Sequence, residues 1–423
     1  MQQTVLSPTL AKESLPSMPE TGIGRANSRW WLGHHLGFWV AAIAFLVNMG
    51  FSAVPTPLYV LYQQRDHFSN IMITLVYAVY AVGVIASLFL AGHLSDWVGR
   101  RRIFVPALLL NVVSAVVFIV EPGLVGLFVA RVISGVSVGL TTATATAYLA
   151  ELHAGARRRG GKERAEVVAT ASNLGGIGVG PLAAGLLAQF APDPLVVPFV
   201  VFGVGLVILA MTIARAPETS RQVVRPQYRP QRIAVPPEAR GRFLAATVAG
   251  MASFAVFGVF NSLVPSFLVG TLHDSSHAVA GAVAFAAFAG GAAAQIAHAR
   301  TQNEVVLRRA VPTILLGLAL LACGMWVPNL AVFVIGGVVV GAGGGLVFKG
   351  ALATAASTAP PGSRAEVLAG FFLGAYVGLS IPVVALGVTT TYVPARDAML
   401  GFELIVAATI AWSVRSVLRR PAR

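Results

Sequence analysis

The chain of 423 residues carries little charge. Only 11% of its residues are Asp, Glu, Lys or Arg, whereas a soluble domain carries roughly 25%. Apolar residues make up 56%, and the mean hydropathy is +0.78. So few charged side chains cannot cover a water-soluble globule. The composition therefore excludes a soluble enzyme, a fibrous protein and a disordered chain, and it indicates a protein with several membrane spans.

Cysteine and lysine are also scarce. The single cysteine, Cys323, lies in an apolar run and has no partner for an intrachain disulfide. Three lysines stand among 30 basic residues, an arginine bias typical of GC-rich genomes. The eight histidines show no metal-ligand spacing, and no P-loop is present, so neither a metal site nor ATP-driven transport is indicated.

Long apolar runs, by contrast, are abundant. A helix of about 20 mostly apolar residues spans a membrane, and twelve stretches qualify. The predicted spans 1 to 6 cover 36–62, 70–92, 103–120, 123–150, 167–190 and 195–214, and spans 7 to 12 cover 243–270, 278–297, 310–327, 330–357, 366–390 and 396–414.

These spans predict an all-α membrane protein with two six-helix halves, at 36–214 and 243–414. A Pro- and Arg-rich linker is predicted between them at 215–242. Residues 1–35 and 415–423 are predicted tails, the first of them disordered.

Loop charges predict the orientation, because Lys and Arg concentrate on the cytoplasmic side. With the amino terminus inside, the cytoplasmic tails and loops hold 26 of the 30 Lys and Arg residues. The outer loops hold Arg65 and Arg396, while Arg131 and Lys349 lie inside spans. We expect a multi-pass protein of the bacterial cytoplasmic (inner) membrane with both termini cytoplasmic. The net charge of +14 is then an orientation signal, and no nucleic-acid partner is expected.

An internal repeat relates the two halves. The sequence Arg-Ala-Glu-Val at 164–167 recurs at 364–367, and the Gly–Pro spacing of span 1 recurs in span 7. The offset stays near 200–208 residues along the chain. Such a parallel repeat is typical of transporters that bind their substrate between the halves, near the membrane midplane.

The loop between spans 2 and 3 reads Gly-His-Leu-Ser-Asp-Trp-Val-Gly-Arg-Arg-Arg over 92–102. It resembles the major facilitator superfamily, which has Gly-x-Leu-x-Asp-x-x-Gly-Arg-Arg there. The matching residues are Gly92, Asp96, Gly99, Arg100 and Arg101. The residues alone also fit a simpler role, a basic anchor at the membrane surface.

The resemblance implies that this loop latches the halves together on the cytoplasmic side. Its implied partner is the start of span 11, near Ser363 and Arg364, with Glu151 as a contact for Arg100 or Arg101. The corresponding segment of the second half, 299–309, lacks the aspartate, so a symmetric latch is not expected.

Two further segments strengthen the resemblance. Arg131 in span 4 matches the buried arginine of the superfamily, and it is either a cavity cation or a structural arginine bonded to carbonyls. In span 5, four residues are similar to the motif of proton-coupled efflux antiporters: Gly176, Gly180, Pro181 and Gly185. Ordinary close helix packing by small residues would explain these positions equally well.

Five residues are candidates for the cavity or for coupling: Arg131, Lys349, Asn48, Asn261 and Glu403. Lys349 can lose its proton when desolvated, or it can extend to the membrane surface. Glu403 is the only carboxylate well inside a span. Asn48 stands in span 1, where many drug–proton antiporters of the superfamily carry an acid. Further polar and aromatic candidates are Thr56, Tyr59, Thr141, Thr144, Phe257, Asn173 and Tyr376.

The resemblance covers essentially the whole chain and implies a secondary transporter, not an enzyme. We predict alternating access with proton-coupled efflux of a small amphipathic compound, neutral or anionic. The alternative is proton-coupled uptake of an organic anion, and a less favoured one is a non-transporting receptor on the same fold. No cofactor is expected; the proton gradient supplies the driving force. The expected partners are the substrate and the lipid bilayer, with one chain acting as a monomer.

Overall fold

The computed structural model describes residues 32–92, 94–156, 162–220, 235–360 and 363–419. They are helical, with no strand in these ranges, and all belong to one compact unit. Eleven segments are long and apolar enough to cross a membrane, and Val197–Ile213 is a shorter apolar helix of 17 residues. The predicted all-α membrane class is confirmed, while a count of twelve spans stays a prediction.

The helices follow one another in a simple order along the chain. They are α1 (His34–Ala53), α2 (Tyr59–Asp66), α3 (Asn70–Ala91), α4 (Leu94–Val98), α5 (Arg100–Val120), α6 (Leu124–Ala156), α7 (Lys162–Phe190), α8 (Val197–Ile213), α9 (Arg240–Ser262), α10 (Val264–Thr271), α11 (His277–Ala297), α12 (Asn303–Trp326), α13 (Leu330–Ser357), α14 (Arg364–Thr389) and α15 (Ala395–Arg419).

We refer to α1–α8 as the first set and to α9–α15 as the second set. The connections between successive long helices alternate between two ends of the bundle, which we call the terminal face and the distal face. The starts of α1 and α5 lie at the terminal face, and the connections at 67–69 and 390–394 lie at the distal face. Most of the predicted tail, at 1–31, and most of the predicted linker, at 221–234, lie outside the described residues. The last helix continues to Arg419, five residues past the predicted end of span 12.

Predicted spans 1 and 7 are broken at corresponding places. Span 1 becomes α1 and α2, joined by a 3-10 turn over Thr56–Leu58, and span 7 becomes α9 and α10 around Leu263. Proline has no backbone N–H, so Pro55 and Pro265 interrupt the helical hydrogen bonding. The two breaks meet, because the Thr56 hydroxyl donates to the Asn261 carbonyl at 3.0 Å.

Glycines let helices of the two sets approach closely. A Cβ added at Gly185 in α7 would collide with the His277 carbonyl and the Cα of Gly281 in α11. Gly176 and Gly180 are equally tight, but they face α1 at the Leu46 and Gly50 carbonyls. The span 5 motif therefore contributes close packing on two sides of α7, against its own set and against the other.

We predict that Gly185→Leu will lower the free energy of unfolding by about 1–3 kcal/mol, because overpacking a tight contact displaces backbone. Gly175→Leu on the same helix is the matched control, since a Cβ there has no neighbour within 4 Å. Thermal unfolding of the two purified variants in detergent checks this. Equal midpoints would show that the α7–α11 contact does not need a glycine.

Candidate functional site

Arg131 is the only buried Lys or Arg among the described residues, with 2% of its surface exposed. Its Nη1 donates to the Ser52 carbonyl at 2.6 Å, and its Nη2 is 3.5 Å from the Tyr77 carbonyl. The guanidinium also lies 4.5 Å from the ring centre of Tyr80 and 5.5 Å from that of Tyr77. Carbonyl dipoles and aromatic faces thus replace the water that a cation loses on burial.

The groups around Arg131 come from both sets of helices. Tyr59 at the start of α2 interacts electrostatically with Arg131, and so do Tyr77 and Tyr80 of α3. Tyr77 interacts with the side chain of Asn261 in α9. Tyr376 of α14 interacts with Tyr77 and Tyr80. Asn261 and Tyr376, both predicted as candidates, therefore belong to the surroundings of Arg131.

Several buried polar atoms near this arginine have no hydrogen-bond partner among the described residues. They include Arg131 Nε, the hydroxyl of Tyr59 and, one turn along α6, the hydroxyl of Ser134. No described carboxylate forms an ion pair with Arg131. The region therefore combines a net positive charge with free hydrogen-bonding capacity and aromatic surface.

Lys349 is bonded to the end of a neighbouring helix. Its Nζ donates to the carbonyls of Gln295 and His298, at 3.1 and 2.8 Å. These carbonyls lie at the end of α11, where the helix leaves unpaired acceptors and partial negative charge. Glu166 of α7 adds an electrostatic interaction. Lys349 thus caps a helix end next to the other set of helices.

Glu403 is the only buried carboxylate among the described residues, with 3% of its surface exposed. It lies in α15, and its Oε1 has no hydrogen-bond partner in the described part of the chain. No ion pair with a described residue neutralises it. A carboxyl group in such a place strongly favours its neutral, protonated form.

Asn48 lies inside the first set. Its Nδ2 donates to the hydroxyls of Ser137 and Thr141, at 3.2 and 2.9 Å, and its Oδ1 accepts from Asn111 at 2.9 Å. These residues join α1, α5 and α6, and all four are fully buried. Asn48 was predicted to line the cavity, whereas its hydrogen bonds here tie three helices together. Sequence reasoning missed Asn111, because nothing in its local pattern reveals a partner 63 residues away.

The loop at 92–102 forms a charged cluster on the terminal face. Gly92 follows α3, and its N–H donates to the Leu88 carbonyl at 3.2 Å. Arg100 binds Asp96 at 2.6 Å and Glu151 at 2.9 Å, as well as the hydroxyl of Ser95. The predicted contact between Arg100 and Glu151 is confirmed. Among the described residues, no hydrogen bond or ion pair joins Asp96 to the expected partners at the start of α14.

Residues after α8 complete this cluster through contacts that were not predicted from the sequence. The Glu218 carboxylate accepts the Arg100 N–H at 2.7 Å and so caps the start of α5. Gly99 has a φ of +120°, and a Cβ there would run into Glu218, so only glycine fits. Arg101 donates to the carbonyls of Ala214 and Ala216 at the end of α8.

The second set has an uncharged counterpart of this cluster. Asn303 donates to the Thr354 hydroxyl at 3.0 Å, where the first set pairs Arg100 with Glu151. Asn303 starts α12 as Arg100 starts α5, and Thr354 lies in α13, which follows α12 as α6 follows α5. The expected asymmetry between the two loops therefore extends to their partners.

Among the described residues, one ion pair joins the two sets on the terminal face. Glu163 at the start of α7 binds Arg300, which follows α11. This hydrogen-bonded carboxylate raises the pKa of Arg300 further above its already high usual value. On the distal face, the Gln189 side chain accepts the His277 N–H at 3.1 Å. The contact between α7 and α11 is thus bonded at both ends.

We predict that Arg100→Gln will cost about 1.5–3 kcal/mol of unfolding free energy, the range for hydrogen bonds to charged groups. The substitution leaves Asp96 and Glu151 without their shared cation. Arg308→Gln is the control, because Arg308 is 68% exposed, against 12% for Arg100, and surface pairs contribute under about 1 kcal/mol. Thermal unfolding at low salt measures both losses; an Arg100 variant as stable as the control contradicts the prediction.

Comparison with known proteins identifies the family. The family model described as Major Facilitator Superfamily matches residues 40–381, well over half of the chain. A comparison with curated proteins returned no match. Transporters of this family are not enzymes and need no cofactor, and no group of His, Cys, Asp or Glu suited to a metal occurs in the described ranges. The chain therefore belongs to the Major Facilitator Superfamily and is a secondary transporter of small molecules in the membrane.

Proposed function

We propose that this transporter works by alternating access and exports a small amphipathic compound, neutral or anionic, in exchange for protons. The observation that carries the substrate class is the buried guanidinium of Arg131. It lies where groups from both sets of helices meet, beside aromatic rings and polar atoms without partners. A compound bound between moving halves touches such a region in every cycle.

The charge of the region supports this choice of substrate. Arg131 has no described carboxylate as a partner, so its positive potential repels organic cations and attracts anions. The rings of Tyr77, Tyr80 and Tyr376 supply apolar surface, and their hydroxyls supply polar contacts. An amphipathic molecule needs both.

Proton coupling is supported by Glu403. A buried carboxyl group without an ion-pair partner binds a proton strongly and releases it only when its surroundings change. A conformational change that exposes Glu403 to water, or that brings a cation near its carboxyl group, would release the proton. Glu403 and Arg131 lie on α15 and α6, in different sets. We therefore assign the proton and the substrate to separate places in the molecule.

The direction of transport follows from the orientation predicted by the loop charges and from the span 5 motif. With the terminal face in the cytoplasm of a bacterial cell, substrate would enter from inside and leave at the distal face. The similarity of Gly176, Gly180, Pro181 and Gly185 to the antiporter motif favours efflux over uptake. Uptake of an organic anion remains the second candidate, because Arg131 would hold a carboxylate equally well.

The experiment uses everted membrane vesicles that contain the transporter and a fluorescent probe of the pH gradient. Anionic, neutral and cationic amphiphiles of matched size are added from outside, which is the cytoplasmic side. We expect the anionic or neutral compounds to dissipate part of the gradient. Dissipation by the cationic compounds alone contradicts the proposed substrate class.

A second arm separates efflux from uptake. The same compounds are loaded into the vesicle lumen before the gradient is formed. Symport would then dissipate the gradient from the loaded side, whereas antiport responds to compound added outside. A response only in preloaded vesicles replaces the proposed function with anion uptake.

We predict that Glu403→Gln, which keeps the size of the side chain and cannot release a proton, will abolish dissipation of the gradient by substrate. Substrate binding should remain within about twofold of wild type, since Glu403 lies apart from the Arg131 region. Asp397→Asn on the same helix is the control, because the Asp397 side chain is 40% exposed. Full coupling in the Glu403 variant rules this residue out as the proton carrier.

A further inference from the structure

The second set contains a cavity of about 520 Å³ at the distal face, away from Arg131. Its walls come from α10, from the ends of α12 and α14 and from the start of α15. Leu263, Phe267, Met325 and Trp326 supply apolar surface, and Ser266, Thr271, His273, Thr390 and Arg396 supply polar groups. Cavities of about 300–1,000 Å³ with a few polar groups are the usual size and lining of small-ligand sites.

The internal repeat explains why the cavity lies in the second set. Thr271 corresponds to Arg65, because each lies two residues before a histidine with a positive φ (His273 and His67), and Pro328 corresponds to Pro122, because each lies two residues before the next helix. In the first set, Arg65 crosses the corresponding gap and donates to the Pro122 carbonyl at 2.7 Å. Thr271 is too short to reach Pro328, and both residues line the cavity instead. The cavity thus results from one difference between the two repeats, a threonine at 271 in place of an arginine.

A guanidinium with unused hydrogen-bond donors lies at this cavity, in a loose ion pair with Asp397. The predicted outer loops carry two basic residues, and Arg65 is held by Asp66 as well as by Pro122. Arg396, by contrast, makes no hydrogen bond to the described residues. Its guanidinium lies 5.1 Å from the ring centre of Trp326, and its Nε is 3.9 Å from Asp397. That separation exceeds a hydrogen bond, so the guanidinium keeps its donors for a ligand.

We propose that this cavity is a second binding site, which takes an amphipathic anion with its charged group on Arg396 and its apolar body against Trp326 and Phe267. Arginine binds sulfonate, carboxylate and phosphate groups through paired hydrogen bonds. The same chemistry occurs in a soluble organic anion and in the head group of an anionic phospholipid. This site lies entirely in the second set and does not depend on the proposed transport reaction.

The test places a cysteine in the cavity wall and measures the charge of reagents that reach it. Cys323→Ser removes the single native cysteine, which is exposed, and Thr271→Cys introduces the reporter. Anionic sulfonatoethyl and cationic trimethylammonioethyl methanethiosulfonates are compared on protein in phosphatidylcholine nanodiscs. We expect the ratio of anionic to cationic labelling rates at Thr271→Cys to exceed the same ratio at Gln64→Cys by about fivefold or more. Gln64 is the reference because it is exposed and lies beside the paired Arg65.

Naphthalene-2-sulfonate then serves as the ligand probe. It should slow labelling of Thr271→Cys, whereas its trimethylammonium counterpart should not, and Arg396→Gln should remove both the reagent preference and the protection. Nanodiscs with phosphatidylglycerol identify the source of the ligand. Slow labelling in those discs, relieved by Arg396→Gln, supports a lipid head group, and protection by the sulfonate in both kinds of disc supports a soluble anion.

A second variant tests whether the cavity exists because Thr271 stands in place of an arginine. Thr271→Arg should close the cavity as Arg65 does in the first set, so that a reporter at Ser266→Cys reacts about tenfold more slowly with both reagents, as expected for a cysteine with little access. An unchanged rate in this variant, or an absence of charge preference and protection in the first, overturns the proposal.

Discussion

The burial of Arg131 is the constraint on which the centre of this transporter depends. A guanidinium removed from water costs several kcal/mol unless carbonyls and aromatic faces replace the lost hydration. The break after α1 supplies the main acceptor: the helix ends at Ala53, so the Ser52 carbonyl in its last turn is free to bind the guanidinium, at 2.6 Å. The tyrosines of α3 cover its faces. One cation thus ties the end of α1 to α3 and sets the charge of the region between the two sets.

The two sets of helices share a repeat but differ where charge matters. On the terminal face, an ion pair of the first set is replaced by the uncharged pair of Asn303 and Thr354. On the distal face, Arg65 fills a gap that Thr271 leaves open. Such substitutions keep the backbone repeat and change the electrostatics. The first set therefore holds its charges in internal networks, and the second set leaves Arg396 available at the distal face.

The sequence predicted what depends on composition and local pattern. Apolar runs located the long helices, and the loop motif located a charged cluster around Arg100. The breaks in spans 1 and 7 were not predicted. Contacts between residues far apart in the chain could not be predicted from the sequence. Lys349 has carbonyls of α11 as partners, and Asn48 has Asn111, because helix packing brings together segments that no periodicity connects. The contact by which Glu218 caps the N–H of Arg100, 118 residues away, could not be predicted for the same reason.

The claim that Arg131 sets the charge of the substrate can be measured by binding. Calorimetry compares an amphipathic anion with its isosteric cation on purified transporter, all variants carrying Arg396→Gln so that the distal cavity does not contribute. We predict that the anion binds about tenfold more tightly, a difference of about 1.4 kcal/mol. Arg131→Gln should remove this preference, and Lys349→Gln, which alters a helix cap, should keep it. Tighter binding of the cation, or an unchanged preference in Arg131→Gln, would contradict the account.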